Sequence, residues 1–260
     1  MTSPDALVRV ATAAGVTTLT LDSPHNRNAL STSLMTQLLA GLAAAVADDA
    51  VRVVVLDHTG PVFCSGADLK ETAAAYASGT MPAGILGDVL AAVWECPKPV
   101  VARVAGPARA GGLGLIAAAD LAVCAEEATF AFTEVRIGVI PAVISATVLP
   151  RLHPRAAAEL YLTGDTFDGR RAAEVGLVTA AVPAADLDAA VARFCDSLVR
   201  GAPGALAGAK QLLRRPVAAD LRAEIAELAA VSTGYFLSAE GREGVLAFRE
   251  KRDASWVPAR

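Results

Sequence analysis

Histidine and cysteine are both scarce in this chain of 260 residues, with three of the first and four of the second. His25, His58 and His153 never stand at i, i+4 to one another or beside a patterned carboxylate, so a helical metal site and a Ser-His-Asp triad both lack their members. No G-x-S-x-G elbow supplies a nucleophile. Cys64, Cys96, Cys124 and Cys195 form no C-x-x-C pair, a spacing that suits small buried hydrophobes better than disulfides or a zinc cluster. No apolar run reaches the roughly 18 residues that span a bilayer, and "MTSPDALVRV" has no basic segment leading into an apolar one. A cytoplasmic protein with no membrane partner is expected. The 23 Lys and Arg are outnumbered by 27 Asp and Glu and form no block, which leaves no electrostatic footprint for nucleic acid.

What the chain does have is apolar residues, at 54% of the total, enough for one large core with a modest helical appendage. "LVRVATAAGVTTLTLD" reads as two short strands joined at Gly15. Ser31 to Ala47 carries Leu34, Leu38, Leu42 and Val46 at helical spacing, with Ser31 or Thr32 as N-cap. "VRVVVLD", "VVARV" and "LAVCA" are apolar runs of strand length, the kind buried on both faces. "PVFC" and "TFAF" read as further short strands, and Ile85 to Trp94 as a helix that Pro97 and Pro99 stop. His153 precedes Pro154 at a junction, a capping or surface position, and from there the pattern turns helical. Interleaved strands and helices followed by helices alone predict an α/β core over residues 1–198 and a helical subdomain over 199–260.

Two glycine-bearing turns stand out. "FCSGADLKE" (Phe63 to Glu71) passes from strand through Ser-Gly-Ala into a polar segment, and "RAGGLG" (Arg109 to Gly114) opens what reads as a helix. Backbone N–H groups at such turns are free to face a negative atom, although either turn alone also fits ordinary packing. Gly112-x-Gly114-x-x-Ala117, with Glu134 about 20 residues on, also satisfies a dinucleotide-binding pattern, but the five residues from Gly106 to Ala110 separate it from the preceding strand. Glu134 lies among Phe130, Phe132, Val135, Ile137 and Ile140, a setting that would raise its pKa and suit it to carry protons. A surface pairing with Arg136 or Arg103 is the alternative.

Seven ordered segments then resemble one family, the crotonase superfamily of enoyl-CoA hydratases and isomerases: "HNRNALS", "FCSGADLKE", "KPVVARVAG", "AGGLGLIAAADLAV", "TFAFTEVRIGVIPA", "LTGDTFDGRRAAEVGLV" and "EGREGVLAFREKR". The resemblance implies a crotonase-type ββα spiral core with a C-terminal trimerisation subdomain, assembling as a homotrimer or dimer of trimers. It implies an acyl-CoA thioester substrate, no metal and no redox cofactor, the coenzyme A belonging to the substrate. The oxyanion-hole positions it implies are Ser65 and Gly111, and the catalytic acid is Glu134. Arg27, Asn28, Ala29, Ala67, Asp68 and Leu69 match segments that hold the CoA moiety, and Phe248 and Lys251 match C-terminal positions that meet its nucleotide end from a neighbouring subunit.

One position departs from the family's pattern. Hydratases of this kind commonly carry a second Glu where this chain has Gly114. The departure leaves three readings: a hydratase resembling the methylglutaconyl-CoA branch, in which Arg109 or Arg136 would meet a second substrate carboxylate; a Δ3,Δ2-enoyl-CoA isomerase with one carboxylate; and a non-catalytic acyl-CoA binder. The first is preferred. The wall of the acyl pocket is expected between Glu71 and Leu90.

Overall fold

β1 (Val8–Ala13) and β2 (Val16–Leu21) pair antiparallel through a two-residue turn, Ala14 and Gly15, both at positive φ. The computed structural model describes residues 6–258 apart from 69, 72, 74–83 and 216–219. Along β2 the residues Thr17, Leu19 and Leu21 are buried and alternate with half-exposed neighbours, as a strand with one covered face requires. β3 (Val53–His58) and β4 (Val100–Val104) are buried nearly throughout, so their sequences run apolar without alternation. With β6 (Leu121–Ala125) and β9 (Ala180–Val182) they complete a six-stranded sheet of order β1-β2-β3-β4-β6-β9, parallel from β2 onward.

Parallel neighbours need crossovers, and helices supply them. α1 (Thr32–Ala47) joins β2 to β3, with the Ser31 hydroxyl accepting from the Leu34 N–H at 3.2 Å as its cap. α2 (Gly84–Glu95) precedes β4, and α3 (Gly111–Ala118), every residue of it buried, precedes β6. A second, three-stranded sheet is formed by β5 (Ala108–Arg109), β7 (Thr129–Ala131) and β8 (Phe167–Asp168). β5 leads directly into α3.

The expected strand "PVFC" is not one. Cys64 makes a single bridge to Ala108, and the Phe63 and Cys64 N–H groups both donate to the Pro107 carbonyl, at 3.0 and 3.4 Å. Pro107 has no N–H to return, so the ladder ends there.

α4 (Ala142–Val148), α5 (Pro154–Thr163) and α6 (Gly169–Glu174) follow the second sheet, and α7 (Leu187–Leu198) packs on β4 and β6. The last helices are α8 (Pro203–Leu213), α9 (Leu221–Leu237) and α10 (Ala239–Glu250). α8 is anchored by Lys210, a buried ammonium 2.5 Å from the Asp120 carboxylate that also donates to the Lys98 carbonyl at 2.8 Å. Burial pushes the Lys210 pKa down, and Asp120 works against that shift. All four cysteines are free and buried, as their spacing predicted, and burial lifts the Cys64 and Cys124 thiols to about 12. Among the described residues no helix is long and apolar enough to cross a membrane.

Candidate active site

The two glycine turns meet at one cavity of about 310 Å³, lined by Ala67 and Asp68 from the first, Ala110 and Gly111 from the second, and Glu134. Leu30, Met35, Leu86, Ile140, Val143 and Ile144 make the remaining lining mostly apolar.

Backbone bonding within the first turn decides which N–H is available. The Ser65 N–H donates to the Arg27 carbonyl at 3.0 Å, and the Gly66 N–H is directed at the Cys64 sulfur at 3.4 Å. Ser65 is therefore not a free donor, and the expectation that it forms an oxyanion hole is corrected. The parallel bridge Leu30↔Ala67 is made through the Leu30 N–H to the Gly66 carbonyl, at 2.8 Å. In such a bridge the opposing residue's own N–H points away from its partner. The Ala67 N–H is thus left unbonded among the described residues, on a residue that lines the cavity.

At the second turn Ala110 holds φ 45°, ψ −118°, and its carbonyl takes the N–H groups of Leu113 and Gly114 at 2.9 and 3.4 Å. Gly111 and Gly112 keep unpaired N–H groups, as the start of an uncapped helix must. A side chain is impossible at Gly112, where a Cβ would stand 2.7 Å from the Cys64 Cβ. The fingerprint glycine thus serves helix-to-turn packing, which answers the dinucleotide reading in physical terms. Ala67 and Gly111 together are two unpaired donors bordering one cavity, the arrangement that suits an oxygen gaining negative charge.

Glu134 stands on a 3₁₀ turn, Thr133–Ile137, immediately after β7. Its Oε2 is buried without a hydrogen-bond partner, and burial raises the carboxyl pKa above its ordinary value, a hydrogen bond from its own backbone N–H opposing this only in part. The surface pairing considered for it does not occur. Arg136 donates to the Thr163 carbonyl and pairs with Asp165, while Arg103 pairs with Asp57 and Asp188. Arg109 is stapled to β7, donating to the Thr129 carbonyl at 2.5 Å and its hydroxyl at 3.1 Å. Neither arginine offered for a second substrate carboxylate lines the cavity.

The positions matched to CoA segments separate into groups. Ala67 and Asp68 border the cavity, and Leu69 lies outside the described residues. Arg27 is exposed, whereas Asn28 is fully buried: its Oδ1 accepts from Ser23 and its Nδ2 donates to the Thr59 and Val62 carbonyls at 3.0 and 2.8 Å. The Asn28 side chain is a brace beneath the turn, which corrects its assignment as a ligand contact. Ala29 is buried beside it. Phe248, on α10, is 86% exposed, and Lys251 follows it at φ 55°; neither lines the cavity.

Glu71, the first residue of the stretch expected to wall the acyl pocket, lines the cavity, and so does Ile144, which was not anticipated. Glu71 accepts from the Thr32 N–H at 2.9 Å and hydroxyl at 2.8 Å, tying the first turn to the start of α1. Ile144 fills the place a side chain at Gly114 would need, since a Cβ there would lie 2.7 Å from its Cγ2. Glu71 lies three residues beyond Asp68 in a quoted motif, but 30 residues separate Ile144 from Gly114 and no local pattern links them. Among the described residues no three His, Cys, Asp or Glu side chains gather as a metal cage.

The profile of the enoyl-CoA hydratase/isomerase family matches residues 11–258. The 2,3-dehydroadipyl-CoA hydratase of Escherichia coli K12 is 32% identical over 90% of this chain and 92% of its own. An enoyl-CoA hydratase crystal structure from Mycobacterium avium is 48% identical, covers 97% of this chain and 99% of its own, and superposes with a TM-score of 0.73. Pseudomonas aeruginosa AtuE is 34% identical, covers 97% and 100%, and reaches a TM-score of 0.91. These matches place the α/β fold in a class, the acyl-CoA enzymes of the crotonase fold, and its cavity brings one acid and two free amides together. The chain belongs to the enoyl-CoA hydratase/isomerase family.

Proposed function

We propose that this chain is a hydro-lyase that adds water across the 2,3 double bond of an enoyl-CoA. The observation that carries this reading is the Glu134 carboxylate, its Oε2 buried and unpartnered, in the same cavity as the free Ala67 and Gly111 N–H groups. The two donors hold the thioester oxygen as it becomes an enolate, each contributing about 3 kcal/mol at the transition state. Glu134 takes a proton from water as the oxygen bonds to C3, and returns it to C2 as the enolate collapses. One carboxylate suffices because it is regenerated within the cycle.

The coenzyme A is part of the substrate, and the reaction draws on no metal or redox cofactor. The acyl chain is apolar rather than methylglutaconyl: the described lining holds Asp68, Glu71 and Glu134 and no Lys, Arg or His, and residues 72–83 contain none either. A second carboxylate would be desolvated there without a partner. The region 199–260 serves as an oligomerisation subdomain of a homotrimer or dimer of trimers, supported by Phe236 and Leu237 at 67% and 62% exposure. Four buried free thiols fit a reducing cytoplasm.

A second reading, Δ3,Δ2-enoyl-CoA isomerisation by Glu134 alone, is favoured by Ile144, which leaves the wall beside Gly114 apolar. The deciding assay offers crotonyl-CoA and 3-methylglutaconyl-CoA for hydration and a 3-enoyl-CoA for double-bond migration, with products separated chromatographically. Migration without hydration replaces the first reading by the second.

A further inference from the structure

Gly114 and Gly111 are three residues apart on α3, so they share a helix face. The Gly111 end of that face borders the cavity. A side chain at 114 would start against the Ile144 Cγ2 and Cβ, at 2.7 and 3.0 Å, and the Leu90 Cδ1, at 3.2 Å. Ile144 is buried, and Thr147 one turn later donates to the Gly114 carbonyl at 3.1 Å, fixing α4 against α3. The branched Ile144 side chain cannot retreat without opening that joint. It also lines the cavity that Glu134 lines.

From this, and resting on the assignment of proton transfer to Glu134, we infer that Ile144 is the specificity-determining residue of the site: it excludes an acid from α3 and keeps the chemistry to one carboxylate. Adding water needs a proton taken at one atom and given at the next. A site with two acids divides these tasks, and here the second place is occupied by hydrocarbon. Gly114 and Ile144 therefore act as a matched pair, in which the absence of one side chain is enforced by the presence of the other.

The test is a cycle of four proteins: wild type, Gly114→Glu, Ile144→Ala, and the double exchange. Thermal unfolding reads the packing without substrate. Gly114→Glu alone is expected to lower Tm, and Ile144→Ala to restore at least about half of that loss in the double variant, a coupling typical of residues in contact. Losses that simply add would overturn the inference. Hydration of crotonyl-CoA reads the chemistry: the double variant is expected to exceed Ile144→Ala by at least about tenfold and to gain a second ionisation in its pH–rate profile. A folded double variant no faster than Ile144→Ala, with one ionisation, would also overturn it. Failure of wild type to turn over any enoyl-CoA would instead remove the assignment to Glu134, and the unfolding cycle would still decide whether Ile144 excludes a side chain at 114.

Discussion

Replacing Glu134 by Gln is the most direct perturbation of the proposed chemistry. The exchange keeps the shape of the side chain and removes only its capacity to accept and return a proton. Oε2 is buried and unpartnered, so an amide nitrogen placed there breaks no existing hydrogen bond, the other oxygen keeps the backbone N–H, and the turn after β7 should hold its geometry. General acid–base catalysis is worth about 10² to 10⁴ in rate, or roughly 3 to 5 kcal/mol of activation free energy. The expected result is a kcat lower by at least about a hundredfold on crotonyl-CoA, with the affinity for a saturated acyl-CoA changed by less than about threefold. Stopped-flow or steady-state absorbance at the enoyl chromophore gives the first quantity and titration calorimetry the second. A variant that hydrates within about fivefold of wild type would show that another group carries the proton. Lost binding with an unchanged kcat would show that the carboxylate positions substrate instead.

In the Glu134→Gln complex with an acyl-CoA, the amide resonances of Ala67 and Gly111 should move on binding while that of Ser65 stays, because its N–H already donates to Arg27; the reverse pattern would restore Ser65 as donor. Burial raises the Glu134 pKa, so the folded protein holds that proton more tightly than the unfolded chain. Its contribution to stability is complete below the ordinary carboxylate pKa and is lost as pH rises through the raised value, so Glu134→Gln should gain Tm relative to wild type over that window. Equal Tm differences across the window would refute this. Lys210→Met removes a buried cation from Asp120, which keeps the Val100 N–H and Arg214 at 3.6 Å. The loss should be about 3 kcal/mol, or roughly 6–12 °C in Tm, measured by calorimetry.

The elements legible in the sequence were those whose signal is local. The β1–β2 turn, the Ser31 cap and the apolar runs of β3, β4 and β6 each follow from residues within one element. β5 and β8, two residues each, were not legible, because their pairing exists only once distant segments meet. The site shows the same division. Motif and composition locate both turns and Glu134, yet which N–H of the first turn is free depends on the Arg27 carbonyl, 38 residues earlier. Asn28 sat within a segment matched to CoA binding, and its three backbone partners come from loops on either side.

The same logic applies to α3, whose first N–H has to be aimed to within a fraction of an ångström. Eight residues make a helix only about 12 Å long, so whatever fixes its far end also fixes Gly111. That end is held by Arg151, which donates to the Ala117 and Ala119 carbonyls, both at 3.1 Å, and places positive charge at the helix C-terminus. The guanidinium lies 4.7 Å from the ring centroid of Trp94, on α2, so its position is fixed in turn. Arg151→Met should leave both carbonyls without their donor and cost about 2 kcal/mol of stability. Arg151 does not line the cavity, so acyl-CoA affinity should change little while kcat falls about three- to tenfold as Gly111 loses its aim. Parallel loss of kcat and affinity would mean general loosening of the fold, and an unchanged kcat at reduced stability would mean that α3 is fixed from its glycine end alone.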